Sequence, residues 1–135
     1  MVSTGPLSTV PKDNSNLGNY GEVLAKAFLN KNGYKVLACN YKNRIGEIDI
    51  VAEDKGVICF VEVKTRGNCG FGLPQEAVLS SKQRKISLTA LKFLKDNNLL
   101  ETNSRFDVVS VLIESQGPKI ELIKNAFEFN LQPRY

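Results

Sequence analysis

Charged residues interrupt two consecutive segments that otherwise have the pattern of β-strands. The first, GEIDIVAE at residues 46–53, alternates acidic and aliphatic residues, and the second, VICFVEVKT at residues 57–65, is almost continuously apolar. Carboxylates are depleted in strands, and like charges that face one another across a sheet are unfavourable. A site that binds a cation or carries out acid–base chemistry would explain why carboxylates lie here.

The turn at residues 54–56 (DKG) joins the two segments into a predicted hairpin. Side chains two residues apart share a face of a strand, so we expect Glu47 and Asp49 on the face opposite the intervening aliphatic residues. When the strands are paired outward from the turn, Asp49 falls opposite Glu62 and Glu47 falls opposite Lys64. Three carboxylates and one ammonium are thus predicted on a small area of the sheet.

Two neighbouring carboxylates must share a proton or hold a cation. The chain has no His, and its cysteines Cys39, Cys59 and Cys69 form no CxxC pair, so ligands would be oxygen atoms. Oxygen ligands favour a hard ion such as Mg²⁺ or Mn²⁺, which can activate water and neutralise a phosphate. Lys64 could then position the water or stabilise the pentacoordinate phosphorus. The lack of His also excludes Ser-His-Asp and Cys-His catalysis.

A solvated sheet face on which Glu47 and Lys64 form an ordinary ion pair is the alternative interpretation. The apolar sequence on both sides of Glu62 favours a central, covered strand instead. Asp107, which lies two residues after Arg105 in another predicted strand, is interpreted as a structural ion pair rather than as a catalytic group.

The elements that must position these residues are predicted in the order α-β-β-β-α-β-β, a mixed α/β sheet flanked by helices. Three- and four-residue apolar spacing predicts helices at residues 17–32 and 80–97, with Asn16 and Ser81 as caps and Gly33 as a stop. The remaining predictions are strands at residues 34–39, 46–53, 57–65, 106–114 and 119–124, a turn at Gly117-Pro118 and a helical turn at 125–129.

Length and composition place the chain among globular proteins. Its 135 residues allow a single domain, predicted at residues 16–135. Residues 1–15 are rich in Ser, Thr, Pro and Asn and have no apolar period, so we expect them to be a disordered tail. No segment has the ~20 apolar residues of a membrane helix or the pattern of a signal peptide, so we expect no membrane partner and a cytoplasmic location. Cys39 and Cys59 lie in apolar runs and are expected in the core, and Cys69 is expected to be exposed.

The net charge of +4 permits a nucleic-acid partner without requiring one. Arg44 and Arg66 flank the two charged strands and could contact phosphate. Lys82, Arg84 and Lys85 crowd the start of the second helix, where cations oppose the helix dipole, and a bound backbone phosphate is one reason for them. For all five residues an ordinary solvated surface is an equally weighted alternative.

The order of an acidic residue on a strand, a turn and then Glu62-Val63-Lys64 resembles the PD-(D/E)xK nuclease signature. A wider set of strings resembles the UPF0102 (YraN) family over about residues 16–130. The strings are GNYGEVLAKAFL, NYKNRIGEIDIVAED, FVEVKTR, FGLPQEAV, SKQRKI, RFDVV and NAF. That family is described as predicted endonucleases that are distantly similar to archaeal Holliday-junction resolvases.

The resemblance implies a restriction-endonuclease-like fold and an endonuclease dependent on Mg²⁺ or Mn²⁺ that hydrolyses DNA, by analogy branched DNA. Asp49 and Glu62 resemble the core metal ligands, and the Val63 carbonyl is a further oxygen. Glu22 resembles the acid on the first helix that completes the metal site. Lys64 resembles the catalytic lysine.

Three points remain open in the sequence. Glu47 matches the Glu of a GEID motif and could be an outer ligand or a salt-bridge partner of Lys64. A resolvase that cuts two strands symmetrically would be a homodimer. The alternative function is a nucleic-acid-binding or adaptor module on a nuclease fold that cleaves little or nothing.

Overall fold

Seven elements follow the predicted order in a computed structural model, which describes residues 14–67 and 80–131 and the side chains of residues 17–67 and 81–131. The helices are α1 (Asn14–Lys31) and α2 (Ser80–Asp96). The strands are β1 (Lys35–Lys42), β2 (Glu47–Asp54), β3 (Val57–Arg66), β4 (Ser104–Glu114) and β5 (Gly117–Phe127). The predicted mixed α/β sheet with flanking helices is confirmed.

The five strands form one sheet in the order β1-β2-β3-β4-β5. The pair β3–β4 is parallel, and the other three neighbouring pairs are antiparallel. Parallel neighbours need a crossover connection, and the segment containing α2 supplies it. The strand that carries Glu62 and Lys64 is therefore the central one, which agrees with its apolar sequence.

Each face of the sheet is covered by one helix. Leu24, Ala25 and Leu29 of α1 belong to a buried cluster on one face, and α2 contributes to a second cluster on the other. In the second cluster the ring of Phe93 from α2 packs edge-on against Phe60 of β3, with centroids 5.8 Å apart. Since both faces are covered, a carboxylate on β3 is partly removed from water.

The helix starts differ from prediction. Helix α1 begins at Asn14, so Asn16 does not cap it, and α1 includes the last two residues of the predicted tail. Helix α2 begins at Ser80, so Ser81 does not cap it. Adjacent Asn and Ser residues are all good cap residues, and spacing could not choose among them. Gly33 follows the end of α1 with φ of +89°, as predicted for a stop.

The end of the chain also differs. The reversal before β5 lies at residues 115–116, and Gly117 already belongs to the strand. The helical turn predicted at 125–129 is wrong, because β5 continues to Phe127 after an irregularity at which Asn125 has φ of +52°. The Phe127 ring stacks on Phe106 with centroids 4.8 Å apart, and this aromatic contact favours the extended path.

The two described cysteines have different surroundings. Cys59 is buried as predicted, whereas Cys39 is exposed and its predicted place in the core is wrong. Cys39 lies on β1, an edge strand, so apolar neighbours in the sequence did not guarantee cover. The prediction for Cys69 concerns a residue outside the described ranges. Within those ranges no helix is long and apolar enough to cross a membrane.

Candidate active site

The charged residues of β2 and β3 meet where the two strands separate. Pairing runs outward from the turn as predicted, through Glu53–Ile58, and the last pair of the ladder is Ile50–Val61. Both strands continue beyond that pair, but the Val63 N–H donates to the Asp49 carboxylate at 2.8 Å. A side chain thus takes the place of a ladder bond, and the gap between the strands becomes a site.

The alternation predicted for β2 is interrupted at Asp49. Ile50 packs in the cluster under α1, as expected for its face, whereas Ile48 packs in the cluster under α2. The aliphatic residues on either side of Asp49 therefore belong to opposite faces of the sheet. Asp49 lines cavities on both sides of this point, so groups from both helices can approach it.

Asp49 is held in an unfavourable electrostatic environment. Burial, and after it the negative charge of Glu62, raise the pKa of its carboxyl to about 7. Glu22 adds to the rise, whereas the Val63 N–H and the Lys82 ammonium lower it. A bound cation would relieve this repulsion, so the raised pKa indicates a position at which a positive charge is favoured.

Glu62 is buried and contacts two ammonium groups. Its Oε2 lies 2.5 Å from Nζ of Lys82 and 3.8 Å from Nζ of Lys64. Burial lowers the pKa of Lys64, and the Lys82 charge lowers it further against the opposing effect of Glu62. Burial alone would lower the pKa of Lys82, but the hydrogen bond and charge of Glu62 outweigh burial and raise it. The predicted Glu62–Lys64 proximity is thus observed, and Lys82 joins it.

Glu22 reaches the same area from α1. Burial raises the pKa of its carboxyl, a hydrogen bond from Asn40 opposes that rise, and the charges of Glu62 and Glu47 add to it. Asn40 lies across the β1–β2 ladder from Asp49, between the pairs Cys39–Ile50 and Tyr41–Ile48. Asn40 was missed because the strand was predicted to end at residue 39. Its φ of +52° is tolerated best by Asn among non-glycine residues.

The place of Glu22 depends on the neighbouring glycine. An ideal Cβ built at Gly21 would lie 1.7 Å from Oγ1 of Thr65 on β3. Only glycine allows α1 to approach β3 this closely, and that approach brings Glu22 towards the carboxylates. Gly21 was not predicted as a functional position, because glycine carries no reactive group. Its place next to Glu22 in the predicted helix was the only indication of its role.

Replacing Gly21 with Ala is expected to destabilise the protein by about 1–3 kcal/mol, because the methyl group must displace α1 or Thr65. The control is Gly18→Ala on the same helix, where a Cβ meets nothing within 4 Å. That change should stabilise the helix by about 0.5–1 kcal/mol. Urea unfolding of both variants measures the difference. Equal stabilities for the two variants would contradict the close approach.

Two cavities adjoin the carboxylates on the α2 side. One of about 240 Å³ is lined in part by Glu47, Asp49 and Glu62. A larger one of about 520 Å³ includes Arg84 and apolar residues in its lining. Both cavities are lined by Lys82 and Lys85. An acidic cavity and a basic one therefore lie side by side and share these two lysines.

The comparison with known proteins identifies the family from the segment that holds this geometry. A model described as "Uncharacterised protein family UPF0102" matches residues 21–111, which include Glu22, Asp49, Glu62 and Lys64. The chain belongs to the UPF0102 family. This confirms the resemblance drawn from the sequence strings.

Individual relatives support the same assignment. The chain is 49% identical to a UPF0102 protein of Syntrophus aciditrophicus over 85% of its own length and 91% of the relative's. It is 50% identical to one of Geobacter metallireducens over 85% and 94%. Among solved structures, the chain is similar to Pyrococcus furiosus SfsA in complex with Ca²⁺, with 13% identity and a TM-score of 0.31. The match covers 85% of this chain and 65% of the SfsA chain, and it is too distant to bear on fold or function.

The residues predicted to contact nucleic acid in this UPF0102 protein lie at different distances from the two cavities. Lys82 and Lys85 line both cavities, and Arg84 lines the basic one. Arg66 ends β3 and is half-buried, whereas Arg44 is exposed in the β1–β2 connection. Neither lines these two cavities. Their contact with nucleic acid stays a prediction.

Glu47 does not take the predicted position opposite Lys64. It pairs with Lys42 on β1 at 3.4 Å, and both side chains are mostly exposed. The reason is the separation of β2 from β3, since β2 remains paired with β1 through Lys42–Glu47. Glu47 nevertheless lines the acidic cavity, so an outer role at the site stays a prediction.

The carboxylate groups of this site are ligands of the type that a hard divalent cation prefers. Asp49, Glu62 and Glu22 offer oxygen atoms, and their charges interact closely enough to raise the pKa of Asp49. Within residues 17–67 and 81–131, no three His, Cys, Asp or Glu side chains lie close enough to hold an ion together. Glu62 instead contacts Lys82. Ligation of Mg²⁺ or Mn²⁺ through these residues and the Val63 carbonyl stays a prediction.

Proposed function

We propose that this UPF0102 protein is a metal-dependent endonuclease that hydrolyses phosphodiester bonds in DNA. The observation that carries the proposal is the pair of interacting carboxylates, Asp49 and Glu62, beside the Lys64 ammonium at the point where β2 and β3 separate. Such a set of charges inside a covered sheet is costly unless it binds a ligand.

The carboxylates have the role of cation ligands in this proposal. Asp49 and Glu62 hold Mg²⁺ or Mn²⁺ together with the Val63 carbonyl, and Glu22 completes the site from α1. When bound, the ion supplies positive charge that neutralises a phosphodiester and activates water. The Val63 N–H bond to Asp49 fixes the direction of that carboxylate before any ligand arrives.

Lys64 acts on the reacting phosphate. Its side chain is 26% exposed and lies 3.8 Å from Glu62, so its ammonium is partly withdrawn from water and its position is restricted. A positive charge in such a setting stabilises the charge that develops on the phosphorus centre, or orients the attacking water. Lys64 is therefore the side chain whose loss should affect the chemical step most directly.

The basic cavity supports DNA as the substrate. Lys82 and Lys85 connect it to the carboxylates, and Arg84 adds a third cation. Phosphates of the strand beside the scissile bond can bind there, since backbone phosphates supply much of the affinity of proteins for DNA. Branched DNA, a homodimer and a cytoplasmic location remain predictions from the sequence.

A cleavage assay with Lys64→Ala tests the proposal. Single-stranded, duplex, flap and four-way-junction DNA are incubated with Mg²⁺ or Mn²⁺. Lys92→Ala is the matched control, because Lys92 is 28% exposed and forms one ion pair on α2. We expect the natural chain and Lys92→Ala to cleave alike, and Lys64→Ala to cleave about 10²–10³-fold more slowly. A chelator should stop all cleavage.

Equal cleavage by the natural chain and Lys64→Ala would contradict the mechanism and indicate a contaminating nuclease. DNA binding without cleavage of any substrate would contradict the proposed nuclease activity and support the alternative function as an adaptor module. An adaptor needs no cation, so its affinity for DNA would fall with salt and would not depend on Mn²⁺.

A further inference from the structure

A third cavity lies beside the site on the α1 side of the sheet. Its volume is about 280 Å³, and residues of α1, β1 and β2 line it. Glu22 and Asp49 belong to its lining. The cavity is therefore continuous with the carboxylates on the side away from Lys82 and the basic cavity.

The cavity is lined by both apolar and polar residues. Val23 and Cys39 are exposed, and with Ile50 they form the apolar part. Asn19 and Lys26 contribute polar groups from α1. Val23 is 58% exposed although it is aliphatic and lies next to Glu22, so its surface is available to a ligand.

Asn40 gives the cavity a fixed amide. Its side chain forms a hydrogen bond with Glu22, and a carboxylate accepts hydrogen bonds, so the amide nitrogen of Asn40 is the donor. The amide oxygen of Asn40 is an acceptor that this hydrogen bond does not use. A residue held with φ of +52° inside a strand is unusual, and such conformations cluster at binding sites.

We propose that this cavity binds the base of an unpaired nucleotide adjacent to the scissile phosphate. The inference rests on the proposed nuclease function. A base has apolar faces, which suit Val23 and Cys39, and donors and acceptors along its edge, which suit the side-chain amides. Lys26 is placed for a flanking phosphate. At about 280 Å³ the cavity suits one base and excludes a base pair.

Substrate preference follows from this geometry. The strand runs from the basic cavity, across the carboxylates, to the base-binding cavity. A nucleotide in a regular duplex must be unstacked and unpaired before its base can enter, which costs free energy that a single strand does not have to supply. The protein should therefore favour single strands, flaps and junction points over continuous duplex.

The thiol of Cys39 allows a test that does not depend on cleavage. Cys59 is buried and burial raises its pKa to about 12, so it reacts slowly. Cys69 is replaced by Ser, which leaves Cys39 as the reactive thiol. Iodoacetamide alkylation of Cys39 is followed by peptide mass spectrometry in chelator, with a single-stranded oligonucleotide, its blunt duplex or no DNA. We expect the single strand to slow alkylation by about fivefold or more, and the duplex to slow it less than about twofold.

Two tryptophan variants provide a matched pair. Val23→Trp fills the cavity from a position that is 58% exposed, and Leu100→Trp places the same side chain at a position that is 55% exposed and outside the cavity lining. Protection of Cys39 by the single strand should be lost in Val23→Trp and kept in Leu100→Trp. Protection in both variants would overturn the inference.

The outcomes separate this inference from the proposed function. Cleavage without protection of Cys39, or equal protection by single strand and duplex, would contradict base binding in this cavity. Neither result would contradict the proposed nuclease function. Protection by the single strand alone without cleavage would support the cavity as a binding site and overturn the nuclease.

Discussion

Replacing Asp49 with Asn is expected to stabilise the metal-free protein while it abolishes cleavage. Burial and the charge of Glu62 raise the pKa of Asp49 to about 7 from an ordinary value of 3.8. Ionising this carboxyl in the folded protein therefore costs free energy. Asn carries no charge and still offers an oxygen to the Val63 N–H, so the variant keeps the hydrogen bond and loses the repulsion.

The pH dependence has a definite sign. Between the ordinary pKa and the raised one, the folded protein binds more protons than the unfolded chain, so the natural protein loses stability as pH rises through that window. The loss is complete above about pH 7. Asp49→Asn should therefore exceed the natural protein by about 1–3 kcal/mol near pH 8 and match it near pH 4.

Urea unfolding in chelator near pH 4, 6 and 8 measures this difference. Asp96→Asn is the control, because Asp96 is about half exposed and forms a single ion pair with Lys92. We expect the control to change stability by less than about 0.5 kcal/mol at each pH. A less stable Asp49→Asn near pH 8 would contradict the electrostatic account. Retention of cleavage by Asp49→Asn would contradict its role as a ligand.

Replacing Asp107 with Ala is expected to destabilise the protein by about 3–5 kcal/mol, because it leaves buried donors without an acceptor. Asp107 is fully buried and accepts from Nε of Arg105 at 3.0 Å. It also accepts from the Tyr34 hydroxyl at 3.2 Å and from the Asn125 N–H at 2.9 Å. Arg105 in turn donates to Asp54 at 2.8 Å.

This network joins four parts of the fold. Tyr34 precedes β1, Asp54 ends β2, Arg105 and Asp107 lie in β4, and Asn125 marks the irregularity in β5. Its loss should therefore lower the midpoint of the whole unfolding transition. The sequence-based interpretation of Asp107 as a structural ion pair is confirmed.

Two variants define the specificity of the Asp107 effect. Asp107→Asn keeps acceptor oxygen and should lose less stability than Asp107→Ala. Asp96→Ala removes an exposed carboxylate and should change stability by less than about 0.5 kcal/mol. A loss below about 1 kcal/mol for Asp107→Ala, measured by urea unfolding, would show that the network contributes little.

Asp49 and Asp107, two acids of this sheet, differ in a way that supports the proposed function. Asp107 is matched by an arginine and several hydrogen bonds, so its charge is compensated within the protein. Asp49 has one backbone donor and faces further carboxylates, so its charge is not compensated to the same extent. Compensated charge is expected of structure, and uncompensated charge of a ligand site.

Local sequence patterns were sufficient to predict the order of the elements, the pairing outward from the β2–β3 turn and the proximity of Asp49, Glu62 and Lys64. These features depend on local rules. Alternation assigns side chains to faces of a strand, and a short turn sets the register of the hairpin that follows it. The apolar sequence of β3 also indicated a central strand.

The groups that complete the site depend on how the helices pack against the sheet. Glu22 and Lys82 come from helices on opposite faces, and their approach depends on packing such as that of Gly21 on Thr65. The separation of β2 from β3 moved Glu47 to Lys42 and left Asp49 between two cavities. Periodicity describes one element at a time, so it cannot give the depth at which a distant helix packs or the point at which two paired strands part.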